Sequence, residues 1–146
     1  MEPISKREYP DRPIVGVGAV IIDNGRVLLV KRARPPMQGE WSLPGGAVEL
    51  GETLRAAAER EALEETGLIV KATDVIEVLD RITPGEDQSI EYHYVLVDFL
   101  CHRIGGTLAA GSDAGEVSWV GPDELVKYKL EKTAVAVIRK AFTLHR

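Results

Sequence analysis

Residues 45–68 read GGAVELGETLRAAAEREALEETGL and contain the local signals on which the predicted fold depends most. Its second half, residues 53–66, is rich in alanine, leucine, glutamate and arginine, which are strong helix formers. Gly67 follows at the position where a glycine commonly caps the carboxyl end of a helix. The composition therefore predicts a helix over residues 53–66, preceded by a loop that begins with paired glycines.

Three glutamates of this predicted helix, Glu61, Glu64 and Glu65, are spaced i, i+3 and i+4. At about 100° per residue they project into one sector of the helix surface. Arg60 stands four residues before Glu64, and neither of the other two acids has a base at i±4, so the sector is short of counter-charge. Mg²⁺, which takes carboxylate, water and phosphate oxygens, would supply that charge. A solvated acidic face is the alternative interpretation.

Two neighbouring features favour the metal site over the solvated face. Leu54, Ala57 and Ala58 share the side of the acids, which indicates that the acidic sector adjoins packed structure. The pair Gly45-Gly46 lies immediately upstream and allows the backbone to approach a ligand closely. We therefore expect backbone carbonyls of this loop to lie within reach of a metal bound by the helix.

Apolar runs separated by turn signals occupy the rest of the chain and are typical of strands. We predict strands at residues 14–22, 26–30, 41–43, 68–81, 91–103 and 116–120, a helix that begins at Pro122, and a closing helix at 132–144. Residues 1–13 are expected to form an extended N-terminal arm, and residues 14–146 a single domain. The order of strands, helix, strands, helix predicts an α+β or mixed α/β sandwich.

The overall composition limits the classes of partner and compartment that we expect for this protein. Of the 146 residues, 45% are hydrophobic and 28% are charged, and the net charge is −5. Because no block of lysine and arginine stands out, we expect no nucleic-acid partner. The single cysteine, Cys101, fits a reducing compartment. No apolar leader and no run of about 20 apolar residues is present, so we expect a cytoplasmic protein without a membrane partner.

The residues of the quoted stretch resemble the signature box of the Nudix hydrolases. That box consists of Gly, five residues, Glu, seven residues, Arg-Glu, an aliphatic residue, any residue, Glu-Glu, any residue, Gly and an aliphatic residue. It is matched by Gly46, Glu52, Arg60, Glu61, Glu64, Glu65, Gly67 and Leu68, with Ala62 a small choice at the first aliphatic position. Residues 41–46 and 116–125 also resemble family segments, so the resemblance covers roughly residues 14–126.

The resemblance implies the Nudix fold, an α/β/α sandwich around a mixed central sheet. It also implies a pyrophosphohydrolase that uses Mg²⁺, with Mn²⁺ as a substitute, to attack phosphorus in a nucleoside diphosphate linked to another group. Metal binding carries over to Glu61, Glu64 and Glu65 and to the backbone carbonyl of Gly45. Such ions neutralise the charge of the substrate and lower the pKa of bound water.

Other roles carry over to residues around the metal ligands. Arg60 would orient the glutamates by charge-assisted hydrogen bonds, so Arg60 joins Glu61 and Glu64 as a candidate catalytic residue. Glu52 would support the metal site or the loop.

The general base stays open between Glu116, Asp113 and a glutamate of the box. We favour Glu116, for which a surface acid at a strand start is the alternative. Arg32 and Arg34 flank the entry to the loop and are candidates for binding phosphate or a terminal ribose. Solvated loop bases are the alternative for both.

The chain resembles the small prokaryotic ADP-ribose pyrophosphatase-like branch of the family. Pro84 follows Leu68 by 16 residues, a spacing associated with ADP-ribose hydrolysis, although Pro84 could instead shape a turn. The expected products are AMP and ribose 5-phosphate, and the resemblance implies a homodimer with N-terminal arms that cross between subunits. The alternatives are a nucleoside triphosphate pyrophosphohydrolase and a non-catalytic Nudix-fold nucleotide-binding module.

Overall fold

The computed structural model describes residues 7–33, 37–111 and 114–145. Its strands are β1 (Ile14–Asp23), β2 (Arg26–Arg32), β3 (Trp41–Ser42), β4 (Gly45–Ala47), β5 (Leu68–Pro84), β6 (Ile90–Gly106) and β7 (Ala114–Val120). The α-helices are α1 (Leu54–Thr66) and α2 (Lys132–Leu144), and 3-10 helices cover Glu86–Gln88 and Pro122–Tyr128. The predicted elements are confirmed, except that the helix beginning at Pro122 is a 3-10 helix. β4 was not predicted.

The strands form a mixed sheet with the order β3-β2-β1-β6-β5, while β4 pairs with β1 and β7 pairs with β2. β1 runs parallel to β6, with Val17 opposite Val97, and the other pairings are antiparallel. Asn24 and Gly25 both have positive φ, 51° and 73°, as a two-residue type I′ hairpin turn between β1 and β2 requires. The first half of β1 diverges from β2 and pairs with β4 instead, so the glycine loop is held against the sheet.

Side chains of β1 alternate between two apolar clusters, one on each face of the sheet. Val17, Ala19 and Ile21 join the cluster under α1, to which the helix contributes Ala57, Ala58 and Ala62. Val20 and Ile22 join the cluster under α2, to which that helix contributes Val137, Ile138 and Ala141. The predicted α/β/α sandwich around a mixed sheet is therefore confirmed.

Local signals set both ends of α1. The hydroxyl of Thr53 accepts a hydrogen bond from the N–H of Ala56 at 3.1 Å, which caps the amino end. Gly67 has a φ of 77° and its N–H donates to the carbonyl of Leu63, as predicted for a glycine cap. One expectation for this helix is wrong: Leu54 is 38% exposed and does not share the packed side, because the helix begins beyond the edge of the apolar cluster.

The described end of the predicted arm, residues 7–13, contains neither helix nor strand. Tyr9 has a φ of 50°, and its N–H donates to the carbonyl of Glu91 at 2.7 Å, which ties this segment to β6. None of the helices in the described residues is long and apolar enough to cross a membrane. Residues 1–6 lie outside the described part, so an arm that crosses between subunits stays a prediction.

Candidate active site

The paired glycines of β4 lie directly against the glutamates of α1. The N–H of Gly45 donates to Oε2 of Glu65 at 2.7 Å, and Glu65 is only 5% exposed. A Cβ atom added to Gly46 would lie 2.5 Å from Oε2 of Glu61, closer than any side chain allows. Gly46 is therefore required because it leaves room for the carboxylate of Glu61, and Gly45 is required because a Cβ atom there would overlap the carbonyl oxygen of Val17 on β1.

Arg60 connects the acids of the box through its guanidinium. Its Nε and Nη2 atoms donate to the two carboxylate oxygens of Glu52 at 2.7 and 2.9 Å, in the bidentate geometry that makes strong ion pairs. Nη1 donates to Glu61 at 2.9 Å and to Glu64 at 3.2 Å, and Nη2 also donates to the carbonyl of Ala47 at 3.1 Å. The hydrogen bonds from Arg60 hold the pKa of Glu52 below its ordinary value, and those from the acids raise the pKa of Arg60.

The predicted contact of Arg60 with Glu64 is confirmed, and the expected shortage of counter-charge is wrong for Glu61, because Arg60 contacts that acid as well. Helical spacing predicted only the contact with Glu64, whereas the arginine side chain also lies alongside its sequence neighbour Glu61. The three glutamates also differ in exposure: the side chain of Glu64 is 55% exposed and that of Glu61 is 15% exposed. Glu65 turns furthest from solvent and receives no hydrogen bond from Arg60 among the described contacts, so the shortage of positive charge is concentrated there.

The carboxyl groups of Glu61 and Glu65 lie close enough for each to influence the pKa of the other. Burial raises the pKa of both groups, and it raises that of Glu65 to about 8 although the N–H of Gly45 and the charge of Arg32 lower it. Two largely buried acids beside each other favour a nearby positive charge, because it would stabilise their ionised forms.

A divalent cation fits this donor set. In the described residues no three histidine, cysteine or acidic side chains form a complete protein cage for a metal. Mg²⁺ does not need one, because it is usually held by one or two carboxylates together with water and substrate phosphate oxygens. Glu61 and Glu65 would provide two carboxylates beside the glycines of β4, and Glu64 lies at the solvent-exposed side of the pair.

Arg32 and Arg34 were the candidate substrate-binding residues. Arg32 ends β2, and its positive charge lowers the pKa of Glu65, so it lies close enough to act on the carboxyl pair. A phosphate bound at that pair would feel the same charge. Arg34 lies outside the described residues, and its role stays a prediction.

Glu116 and Asp113 were the candidate bases outside the box. Glu116 lies on β7 opposite Lys31, is exposed, and makes a loose ion pair with that lysine at 3.8 Å. No hydrogen bond or ion pair among the described residues joins it to the glutamates of α1. Asp113 lies outside the described residues.

Sequence reasoning did not identify the segment before β7 as part of the site. The N–H of Ala109 donates to the carbonyl of Thr66 at 2.8 Å, and that of Gly111 to the carbonyl of Glu65 at 3.0 Å. A Cβ atom on Gly111 would overlap the carbonyl of Glu64. The segment therefore packs against the last turn of α1 and carries the chain towards β7. An isolated loop glycine offers no sequence signal for such a contact.

Comparison with known proteins agrees with this geometry. The family model described as NUDIX domain matches residues 12–142. The chain is 38% identical over 115 residues to an ADP-ribose pyrophosphatase of Methanocaldococcus jannaschii, covering 79% of this chain and 66% of that protein. It is 39% identical over 110 residues to a putative 8-oxo-dGTP diphosphatase 2 of Mycobacterium tuberculosis, covering 75% and 74%. A solved NUDIX hydrolase from Nitrosomonas europaea is 26% identical with a TM-score of 0.74, and the match covers 93% of this chain and 73% of that one. The chain belongs to the NUDIX family and is a pyrophosphohydrolase.

Proposed function

We propose that this enzyme hydrolyses ADP-ribose to AMP and ribose 5-phosphate in the presence of Mg²⁺. The observation that carries the chemistry is the largely buried Glu61–Glu65 pair, which lies directly against the glycines of β4. The choice of ADP-ribose is supported by the Methanocaldococcus relative, which is named an ADP-ribose pyrophosphatase. The proline at the end of β5, Pro84, agrees with that choice.

In this proposal Glu61, Glu64 and Glu65, with the backbone carbonyl of Gly45, hold the metal. When bound, the ion neutralises pyrophosphate charge and lowers the pKa of water, so that a nucleophile forms near pH 7. Arg60 is a positioning residue that fixes the carboxylates by its hydrogen bonds, and Glu52 fixes Arg60 in turn.

Two further residues complete the proposal. Arg32 offers positive charge to the substrate phosphates, which suits a transition state whose charge is spread over phosphate oxygens. Glu116 accepts the proton of the attacking water as the general base. Its exposed position on β7 leaves its carboxylate open to solvent, and the segment before β7 contacts the last turn of α1.

Hydrolysis of nucleoside triphosphates is the second candidate function. The Mycobacterium relative, which is named a putative 8-oxo-dGTP diphosphatase, has the same identity range as the ADP-ribose pyrophosphatase. Both reactions need the same metal site and differ only in the leaving group.

The test is a product analysis with purified protein and Mg²⁺ or Mn²⁺. ADP-ribose, other nucleoside diphosphate sugars, dinucleoside polyphosphates and nucleoside triphosphates are offered separately, and the products are resolved by chromatography. We expect AMP and ribose 5-phosphate from ADP-ribose, with the highest kcat/KM of the set. Release of pyrophosphate from triphosphates while ADP-ribose stays intact would favour the second candidate. No hydrolysis of any compound would overturn both.

We also propose that the enzyme is a homodimer. β5 lies at one end of the sheet order and is 17 residues long. Val78 and Ile82 on this strand are 56% and 51% exposed. A long edge strand with exposed apolar side chains is a template for pairing with another chain, and a second copy offers the same strand.

A further inference from the structure

Asp98 is a charged residue in the middle of the apolar strand β6, between Val97 and Phe99. It is 6% exposed and is one of three buried polar residues in the described chain, with Glu65 and Thr66. Thr66 donates to the carbonyl of Ala62 and Glu65 accepts from the N–H of Gly45. In contrast, no hydrogen bond or ion pair within the described residues reaches the carboxyl of Asp98.

In the described residues only Oγ of Ser42 is a fully enclosed side-chain oxygen or nitrogen without a hydrogen-bond partner, so the carboxyl of Asp98 keeps some contact with solvent. A largely buried carboxyl without a protein partner is still unfavourable, since it has lost most of its water and gained no hydrogen bond. Burial, together with the nearby charge of Glu77 on β5, raises the pKa of Asp98 to about 6. Glu77 also forms an ion pair with Lys140 on α2, in which Nζ of Lys140 lies 3.6 Å from Oε2 of Glu77. Proteins tolerate such local conflicts mainly at functional sites, which points to a partner outside the chain.

The strand register shows where the side chain of Asp98 points. Asp98 pairs with Gly18 on β1, and Gly18 pairs with Gly45 on β4. A Cβ atom on Gly18 would overlap Oδ1 of Asp98 and would lie 3.9 Å from the carbonyl oxygen of Pro44. The carboxyl of Asp98 therefore extends over the backbone of β1 towards the glycine loop. At about 4.8 Å per strand, its backbone is about 10 Å from Gly45, which contacts Glu65. A nucleoside attached to a phosphate at the carboxyl pair spans that distance.

A cavity of about 330 Å³ opens on the same face of the sheet. Asp98, Tyr94 and Tyr92 alternate along β6 and so point to one side. The rings of Tyr92 and Tyr94 are stacked with their centroids 6.3 Å apart. The cavity is lined by Met37, Arg81, Thr83, Glu91, Tyr92 and Tyr94. None of these belongs to the glutamate box. Asp98 does not line the cavity either, since Leu96 lies between Asp98 and Tyr94 on the face of β6 that also carries Leu100 under α2. The cavity is therefore a neighbouring space, which suits a part of the substrate that is not hydrolysed.

We propose that Asp98 is a specificity-determining residue whose carboxylate accepts a hydrogen bond from an amino or hydroxyl group on the nucleoside half of the substrate. This inference rests on the proposed function, because it requires the phosphates to lie at Glu61 and Glu65. An ionised carboxylate offers only acceptors. It therefore selects a ligand with a donor at this position and disfavours one that presents a carbonyl or an anionic oxygen.

The test compares Asp98→Asn with the wild type on the best substrate of the product analysis. Asp80→Asn is the matched control, since Asp80 is an exposed aspartate on the neighbouring strand β5. Loss of a charged hydrogen bond predicts a KM increase of about 10- to 100-fold, with kcat within about threefold. The unfolding temperature of Asp98→Asn should equal or exceed that of the wild type, since a neutral amide replaces an unpaired acid. A KM within about twofold of the wild type would overturn the proposal, as would a lower unfolding temperature without a change in KM.

Binding of AMP analogues, measured by calorimetry with Mg²⁺, identifies the donor. IMP lacks the amino group of the base, and 2′-deoxy- and 3′-deoxy-AMP each lack one hydroxyl. The analogue without the donor should bind the wild type more weakly than AMP does, and the penalty should vanish in Asp98→Asn. Equal penalties in both proteins for every analogue would contradict the proposal.

The calorimetry also separates this inference from the proposed function. If the wild type hydrolyses no compound, the proposed function fails, and binding alone decides the role of Asp98. Weaker binding of nucleoside monophosphates by Asp98→Asn would then support the inference. Equal binding by both proteins, or no binding by either, would overturn it.

Discussion

Glu61, Glu64 and Glu65 are neighbours on one helix, yet each has a different environment. Glu65 is buried and bonded to the N–H of Gly45, Glu61 lies between Arg60 and Glu65, and Glu64 faces solvent. Within five positions, the same residue type is therefore buried against a backbone N–H, half-enclosed beside a guanidinium, or exposed to solvent. Desolvation and the nearest charge decide which of these occurs.

Replacing a glutamate of the box with glutamine should remove activity while leaving the fold intact. In Glu61→Gln and Glu64→Gln an anionic metal ligand becomes neutral, and we expect kcat to fall by about 100-fold or more. Steady-state kinetics across a range of Mg²⁺ concentrations and a circular dichroism spectrum are the measurements. Asp123→Asn, an exposed acid in the Pro122–Tyr128 helix, is the control. Activity of Glu64→Gln equal to that of the wild type would remove Glu64 from the metal site.

The stability of the enzyme should depend on pH through Asp98. Its pKa is about 6 in the folded protein against an ordinary value of 3.8, so folding favours the neutral acid. Stability from this group is complete below pH 3.8 and is lost as pH rises through about 6. Asp98→Asn lacks this loss, so its advantage in free energy of unfolding should grow by up to about 3 kcal/mol between pH 4 and 7.5. Urea denaturation of both proteins at the two pH values measures it, and a difference that is constant with pH would contradict the prediction.

Among the elements, β4 is the one that joins the helix to the sheet. It has three residues, pairs with β1, and places its glycines against the carboxylates of α1. The caps at Thr53 and Gly67 set the ends of α1, but only the pairing of β4 sets the distance between its glutamates and the loop. The site therefore depends on a very short strand whose position is fixed by its neighbour.

Gly46→Ala should damage the site more than the fold. The added methyl group would lie 2.5 Å from Oε2 of Glu61 and would displace that carboxylate. We expect kcat to fall by about tenfold or more and the free energy of unfolding to fall by about 1–3 kcal/mol. Gly115→Ala is the matched control, because its Cβ atom would lie 3.7 Å from the carbonyl of Lys31, an ordinary contact. Equal effects of the two substitutions would show that the close approach to Glu61 has no special role.

At the scale of the whole molecule, β5 and β6 are the longest strands, and β5 forms an open edge of the sheet. Each has 17 residues, and the outward side chains of β5 include several apolar residues. The proposed dimer would cover this edge in each copy.

Light scattering coupled to size exclusion should give the wild type twice the 16.0 kDa mass of one chain. Val78→Lys combined with Ile82→Lys places charges on the proposed interface and should yield a monomer with an unchanged circular dichroism spectrum. Lysines on exposed faces of edge strands oppose strand pairing and seldom disturb folding. The control is Val126→Lys, since Val126 is 82% exposed in the Pro122–Tyr128 helix. A wild type that elutes as a monomer at every concentration would contradict the prediction.

Local sequence signals were enough to predict α1, the hairpin at Asn24-Gly25, every strand except β4, and the glutamate box. These features depend on signals that act over a few residues. Alanine and glutamate favour a helix, Thr53 and Gly67 end it, and positive φ at two turn residues reverses the chain. The predicted ranges of β5 and β6 were too short, because the pairing of the two strands continues beyond the residues at which the predicted apolar runs end.

The contacts within the box, and the identity of the further residues near it, became clear from the three-dimensional packing. The pairing of β4 with β1, the contact of Arg60 with Glu52, and the position of Asp98 over Gly18 join residues that are distant in sequence. Residue type and spacing do not specify such contacts, because strand register and burial are set by the whole core. For the same reason the equal spacing of the glutamates did not predict that Glu65 would be buried and Glu64 exposed.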